Sequence, residues 1–284
     1  MDARSWLGLE PTHNPYRWVL PIVDGLATPA KFLFGGCGLG AAIEALEGTT
    51  GRPVVWATAQ YLSYATVGST LDIDVTVAVA GHQITQARAV GHVADREVFT
   101  VNAALGRRDY EGEGQWEQMP DVATPDELPK RRNPFADSGG TFMSDRLDQR
   151  MAKGTPWDEL EGNPQADGTG ALWIRVPELL DMSATTLAIL GDYVPFGIGQ
   201  ALGKLGGGNS LDNTLRVVRL VPTEWVLVDV RVHAIHHGFG HGLVHLWAQD
   251  GTLLATASQS TIVRHWTEER EALARQQQRQ GDTT

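Results

Sequence analysis

Five histidines crowd one short stretch of this 284-residue chain: His233, His236, His237, His241 and His245. Imidazoles at that density raise the question of a metal centre. The stretch, however, reads as two strands around Gly238-Phe239-Gly240, and strand residues four apart lie about 13 Å apart, too far to chelate one ion. Only cross-strand pairs could meet, so structural or partly exposed histidines are expected, with no metal and no other cofactor. The single cysteine, Cys37, stands in Gly35-Gly36-Cys37-Gly38, a helix start of the kind that lowers a thiol pKa. No histidine–acid pair accompanies it locally, so a small packed residue is expected there rather than a nucleophile. Neither glycine run, Gly35 to Gly38 or Gly206-Gly207-Gly208, is followed by the Gly-Lys-Ser/Thr of a phosphate loop. The one basic run, Lys130-Arg131-Arg132, reads as a solvated linker face. Asp192, taken alone, reads as a helix N-cap, worth about 1 kcal/mol.

These residues sit in a pattern made twice. Phe34-Gly35-Gly36-Cys37-Gly38-Leu39-Gly40 runs into Ala41-Ala42-Ile43-Glu44-Ala45-Leu46, and alternating runs follow at Leu71 to Val79 and Val98 to Ala104. Ile189-Leu190-Gly191-Asp192 runs into Gly197-Ile198-Gly199-Gln200-Ala201-Leu202, and alternating runs follow again at Val226 to Val232 and Leu253 to Val263. Corresponding positions lie roughly 155 residues apart, which points to one small α+β unit duplicated in the chain. Gly38 to Leu46 reads as a helix buried on most of its surface, and Thr185 to Leu202 as its counterpart. Leu71, Ile73, Val75, Val77 and Val79 share one strand face, with Asp72, Asp74 and Thr76 on the other. Gly81-His82 and Gln249-Asp250-Gly251 are turns, and Gly206-Gly207-Gly208 is read as a sharp loop.

Residues 1–110 are expected as one unit and 169–284 as the other, ending in a polar tail from Glu268. The segment 111–168, with prolines scattered among charges and glycines, is expected as a linker with one short helix from Met143 to Met151. A lone helix-plus-sheet unit leaves an apolar face and an edge exposed. Two units sharing one continuous antiparallel sheet around two central helices remove two edges. Two independent α+β domains are the alternative.

Composition narrows the function. Hydrophobic residues make up 42% of the chain, enough for a sizeable core, and the formal net charge is −11. Such a surface repels phosphate backbones, so nucleic acid is not an expected partner. One cysteine permits no internal disulfide, and no signal peptide or membrane-spanning run is read, so a cytoplasmic setting is expected.

The second half carries Asn209-Ser210-Leu211-Asp212-Asn213, then Gln249-Asp250-Gly251-Thr252-Leu253-Leu254-Ala255-Thr256-Ala257-Ser258-Gln259, then Val263-Arg264. With Phe34-Gly35-Gly36 in the first half, the chain resembles the acyl-CoA thioesterase II family of double-hotdog enzymes over nearly its whole length. The resemblance implies hydrolysis of acyl-CoA by a water held by Asp192, Ser210 and Gln259, with Ser210 where threonine is common. It also implies a dimer. Asp192 can orient or deprotonate the water, Ser210 and Gln259 can fix it by hydrogen bonds, and amides at the glycine-led helix start can hold developing oxyanion charge. Gly35, Gly36 and Gly38 allow close backbone approach, and Tyr61 and Tyr193 are candidates to line the substrate pocket. The pseudo-repeat sets Asp192 near Cys37 and Gln259 near Ala104, so one active site per chain is expected. A hydratase on the same fold would carry a histidine five residues after its aspartate. Asp192 is followed there by Gly197 and Asp212 by Val217, which disfavours it. A non-catalytic acyl-binding protein is the remaining alternative.

Overall fold

A computed structural model describes residues 1–132, 141–179 and 181–265. The tail from Glu268 lies outside the described residues. The chain opens with a short helix, Ala3–Leu7 (α1), and the strands Glu10–Pro11 (β1) and Arg17–Pro21 (β2). The helix Gly35–Thr50 (α2) precedes Val54–Tyr61 (β3), Thr70–Ala80 (β4), Ile84–Val93 (β5) and Arg96–Gly106 (β6). Asp148–Lys153 (β7) and Thr169–Arg175 (β8) lead to the helices Ala184–Leu190 (α3) and Val194–Leu202 (α4). Gly206–Ser210 (β9), Asp212–Val217 (β10), Val226–His236 (β11), Phe239–Ala248 (β12) and Leu253–His265 (β13) follow.

Among the described residues these strands form one 13-stranded sheet, ordered β1-β2-β4-β5-β6-β3-β10-β13-β12-β11-β8-β7, with β9 also paired to β13. The two halves join where β3 pairs antiparallel with β10. Thr58 faces Thr214 at that seam, their hydroxyls 2.6 Å apart. The fold is α+β, a double hotdog, and the shared sheet expected from the alternating strands is present. On β4, Leu71, Ile73 and Val75 are buried and Asp72 and Asp74 are half-exposed, as the period-two pattern requires, but the register slips between Val77 and Val79, and Val79, expected on the same face, is exposed. The inner face wraps α2, whose small and apolar residues, including Leu39, Ile43 and Leu46, are fully buried. Each large side chain so buried stabilises the fold by about 1.5–3 kcal/mol. No helix among the described residues is long and apolar enough to cross a membrane.

Three local readings need correction. The helix expected over Thr185 to Leu202 is two helices, broken at Gly191-Asp192-Tyr193. Pro195 explains the break: it has no N–H to donate to the Gly191 carbonyl and its ring would clash with that group. The helix expected over Met143 to Met151 is a 3-10 turn, Met143–Arg146, followed by β7. Strand β7 pairs with β8 and extends the sheet. The same segment supplies Met119, Val122 and Leu128, which pack on Trp173, Trp225 and Trp247. Finally, Gly206-Gly207-Gly208 is not a loop but part of β9, which pairs with the far end of the 13-residue strand β13.

Candidate active site

The break between α3 and α4 places Asp192 at the junction of both halves. It is 6% exposed, and each hydrogen-bond partner of its carboxylate among the described residues is a donor. The Gly36 N–H, at the start of α2, donates to Asp192 Oδ2 at 2.6 Å. Gln259 Nε2 donates to Asp192 Oδ1. Ser210 Oγ lies 3.4 Å from the same oxygen and accepts from Gln259 Nε2 at 3.0 Å. Gln259 Oε1 in turn accepts from the Val194 N–H at 3.0 Å, one of the orphan donors of the first turn of α4. Four segments, the start of α2, the α3–α4 break, the end of β9 and β13, therefore meet through five polar groups.

Rigid elements hold each partner. Ser210 ends β9, opposite Thr261 of β13. The backbone then bulges, with the Leu211 N–H donating to Ser260 O at 2.8 Å and the Ser260 N–H donating to Asp212 Oδ1 at 2.8 Å. Gln259 is 2% exposed on the inner face of β13. Glycine is required on the α2 side. A Cβ at Gly35 would lie 2.8 Å from Asp192 Oδ2, and one at Gly36 would lie 2.9 Å from Ala188 O.

Burial raises the Asp192 carboxyl to about 7, against the opposing pull of Gln259, Gly36 and Ser210. Three donors without a cation leave a carboxylate that takes up a proton near neutral pH, the property a general base needs.

The sequence-predicted residues divide clearly. Asp192, Ser210, Gln259, Gly35 and Gly36 are brought together. Tyr61 joins them, its hydroxyl donating to Gly35 O at 2.8 Å. Tyr193 leads away from the carboxylate: its hydroxyl accepts from Gln149 Nε2 of β7 at 3.4 Å. Gly38 lies apart, against Phe99 and Leu33, as a packing position. Cys37 is fully buried with its Sγ 3.6 Å from Met143 Sδ, and burial pushes its thiol far up, which leaves no thiolate to attack. Of the basic run, Lys130 and Arg132 are exposed, but Arg131 departs from the solvated reading. It donates to Gln149 Oε1 at 2.6 Å, and its guanidinium lies over the Phe196 ring. His233, His236, His237 and His241 are exposed and His245 is buried. No three ligand-type side chains gather among the described residues.

The register at the seam refines the comparison of the two halves. Thr58 and Thr214 are 156 residues apart, and so are Gly36 and Asp192. Thr58 pairs with Asn102 as Thr214 pairs with Ser258, so Gln259 corresponds to Ala103. The true counterparts, Gly36 and Ala103, stand one residue before Cys37 and Ala104. Neither carries a reactive side chain, and one of them instead lends its N–H to Asp192. One residue escaped the sequence reading. Asn213, on β10, is fully buried beside this cluster, and its own motif position was the only signal for it.

Comparison with known proteins places this geometry in context. The family model described as acyl-CoA thioesterase C-terminal domain matches residues 117–263. The chain is similar to the crystal structure of a putative thioesterase from Novosphingobium aromaticivorans, with 33% identity over 89% of this chain and 97% of that one, at a TM-score of 0.80. It is also similar to an acyl-CoA thioesterase II from Mycobacterium marinum, at 18% identity, 93% and 98% coverage and a TM-score of 0.71. A hot dog fold protein from Alicyclobacillus acidocaldarius shares 19% identity over 90% and 96% of the two chains, at a TM-score of 0.78. At those lower identities the likeness speaks to fold alone. Among curated proteins none matches the chain.

Proposed function

The chain belongs to the acyl-CoA thioesterase family, and on that premise we propose that it hydrolyses acyl-CoA with a water activated by Asp192 and held by Ser210 and Gln259. The observation that carries the reading is the buried Asp192 carboxylate, ringed by Gly36, Ser210 and Gln259 and raised to about 7. In the reaction the water oxygen attacks the thioester carbonyl carbon while Asp192 takes the water proton. The Gly36 N–H, which donates to Asp192 Oδ2, serves the carboxylate rather than the carbonyl oxygen on which charge develops. The tetrahedral intermediate then collapses, the C–S bond breaks, and the coenzyme A sulfur leaves with the proton that Asp192 returns. Free acid and free thiol result, and the carboxylate is restored.

The same proposal sets two halves, 1–110 and 169–284, around the segment 111–168. It takes the protein as a cytoplasmic dimer that binds acyl-CoA and not nucleic acid. The lone Cys37 supports the cytoplasmic setting, and the net charge of −11 supports the exclusion of nucleic acid.

The test is thiol release from an acyl-CoA panel across pH 5 to 9. A base must be ionised to act, so kcat/KM should rise with pH about tenfold per unit below the midpoint and level off above about 7. A flat profile contradicts the role of Asp192. Ser210→Ala removes the hydroxyl that accepts from Gln259 and faces Asp192. In the same assay kcat should fall by roughly tenfold, the worth of one or two hydrogen bonds. Ser210→Thr, which keeps the hydroxyl, should stay within about threefold of the parent.

A further inference from the structure

The Gly35–Gly36 peptide is gripped at both ends. Its carbonyl oxygen accepts from the Tyr61 hydroxyl at 2.8 Å, and its N–H donates to Asp192 Oδ2 at 2.6 Å. In a planar trans peptide these two groups point in opposite directions, so a hydroxyl that holds the carbonyl also aims the N–H. Tyr61 is the last residue of β3, which means the aim is set by the sheet and not by the helix end it steadies. The missing side chain of Gly35 permits the approach, since a Cβ there would lie 3.2 Å from the Tyr61 hydroxyl oxygen.

Asn213 stands behind that hydroxyl. It is fully buried, and its amide lies against Tyr61. Neither its nitrogen nor its oxygen has a hydrogen-bond partner among the described residues. A tyrosine hydroxyl has one proton to give. That proton goes to Gly35 O.

We propose that Tyr61 is a positioning residue for Asp192, locking the Gly35–Gly36 peptide so that its N–H meets the carboxylate. The inference rests on the hydrolase reading above. It makes a separate demand, because Tyr61 touches neither the carboxylate's proton nor the water and acts only through the peptide. Without the lock, Asp192 loses a donor that favours its ionised form, and its pKa moves further up.

Full-length wild-type, Tyr61→Phe and Asn213→Leu proteins decide it, by thiol release from one acyl-CoA at saturating and limiting concentrations over pH 5 to 9, with thermal melts alongside. Tyr61→Phe should lower kcat by roughly five- to tenfold, the worth of one such hydrogen bond, and leave KM within about twofold. The midpoint of its pH profile should rise by about half a unit or more. Asn213→Leu, which removes an unpartnered buried amide next to Tyr61, should leave kcat and midpoint within about twofold and about 0.2 units of wild type without lowering the melting temperature, and so serves as the control for a change beside Tyr61 that spares the lock. In Tyr61→Phe, a fall in kcat with an unmoved midpoint reduces Tyr61 to a structural role and overturns the proposal, as does unchanged kcat. Should Tyr61→Phe fail to fold, Tyr61→Met is read on the same criteria. Wild-type protein that releases no thiol overturns the hydrolase reading and this inference with it.

Discussion

Asp192→Asn should lower kcat for acyl-CoA hydrolysis by roughly 10^2- to 10^4-fold, the range that a positioned general base contributes. The amide keeps the size of the carboxylate and cannot take the water proton. The same substitution should also reshape stability against pH. In the folded chain Asp192 holds its proton up to about 7, against 3.8 for an ordinary aspartate. Between those values the folded state binds the proton that the unfolded chain has released, so the Asp192 contribution is greatest below pH 4 and is lost as pH rises to about 7. The amplitude is on the order of 4 kcal/mol, from roughly three units at 1.36 kcal/mol each. Glu44 and Glu47, half-buried on α2 and also raised by burial, add slope of the same sign in both proteins. The diagnostic is therefore the difference between wild type and variant: melting temperatures over pH 4 to 8 should fall less steeply for Asp192→Asn. Parallel curves would mean that the carboxyl is not raised.

Gln259→Leu should have the second-largest effect, because one carboxamide serves three groups. Its N–H groups reach Asp192 and Ser210, and its oxygen accepts from the Val194 N–H at the start of α4. Leucine fills the space and satisfies none of them. The stranded Val194 N–H costs about 1–3 kcal/mol of stability. Asp192 loses the strongest of the hydrogen bonds that pull its pKa down, so the activity midpoint should move above 7. At pH 7 the lost donor and the shifted base together should lower kcat about 100-fold. Thiol release at pH 7 and pH 9 separates the two parts: the portion due to the shift recovers at pH 9 and the rest does not.

The strands were legible because their residues alternate. Leu71 to Val75 and Leu253 to Val263 carry a period that one buried face imposes, and the shared sheet followed from the need to cover edges. The helix break was legible in principle, since Pro195 forbids continuation through Gly191, but the apolar run from Thr185 to Leu202 masked it. The break matters because it frees Asp192 from a helical ladder and turns it toward Gly36. Strand β7 was not legible: Asp148–Lys153 owes its extended form to pairing with β8 across a gap in sequence. Asp192, Ser210 and Gln259 were found through their motifs, whereas Asn213 was passed over. Its significance lies in having no partner, a property of surroundings that no local pattern encodes. Arg131 was misread for a similar reason, since the Gln149 and Phe196 that draw it inward lie elsewhere in the chain.

The measurement that tests the central claim most directly is the release of free thiol from saturated acyl-CoA thioesters by wild-type protein and by Asp192→Asn, side by side at pH 7.5. The arrangement of Asp192, Ser210 and Gln259 predicts steady thiol release by the wild type and its near-complete loss in a folded variant. Thiol release that survives the substitution, or binding of acyl-CoA by the wild type without any release, would contradict it.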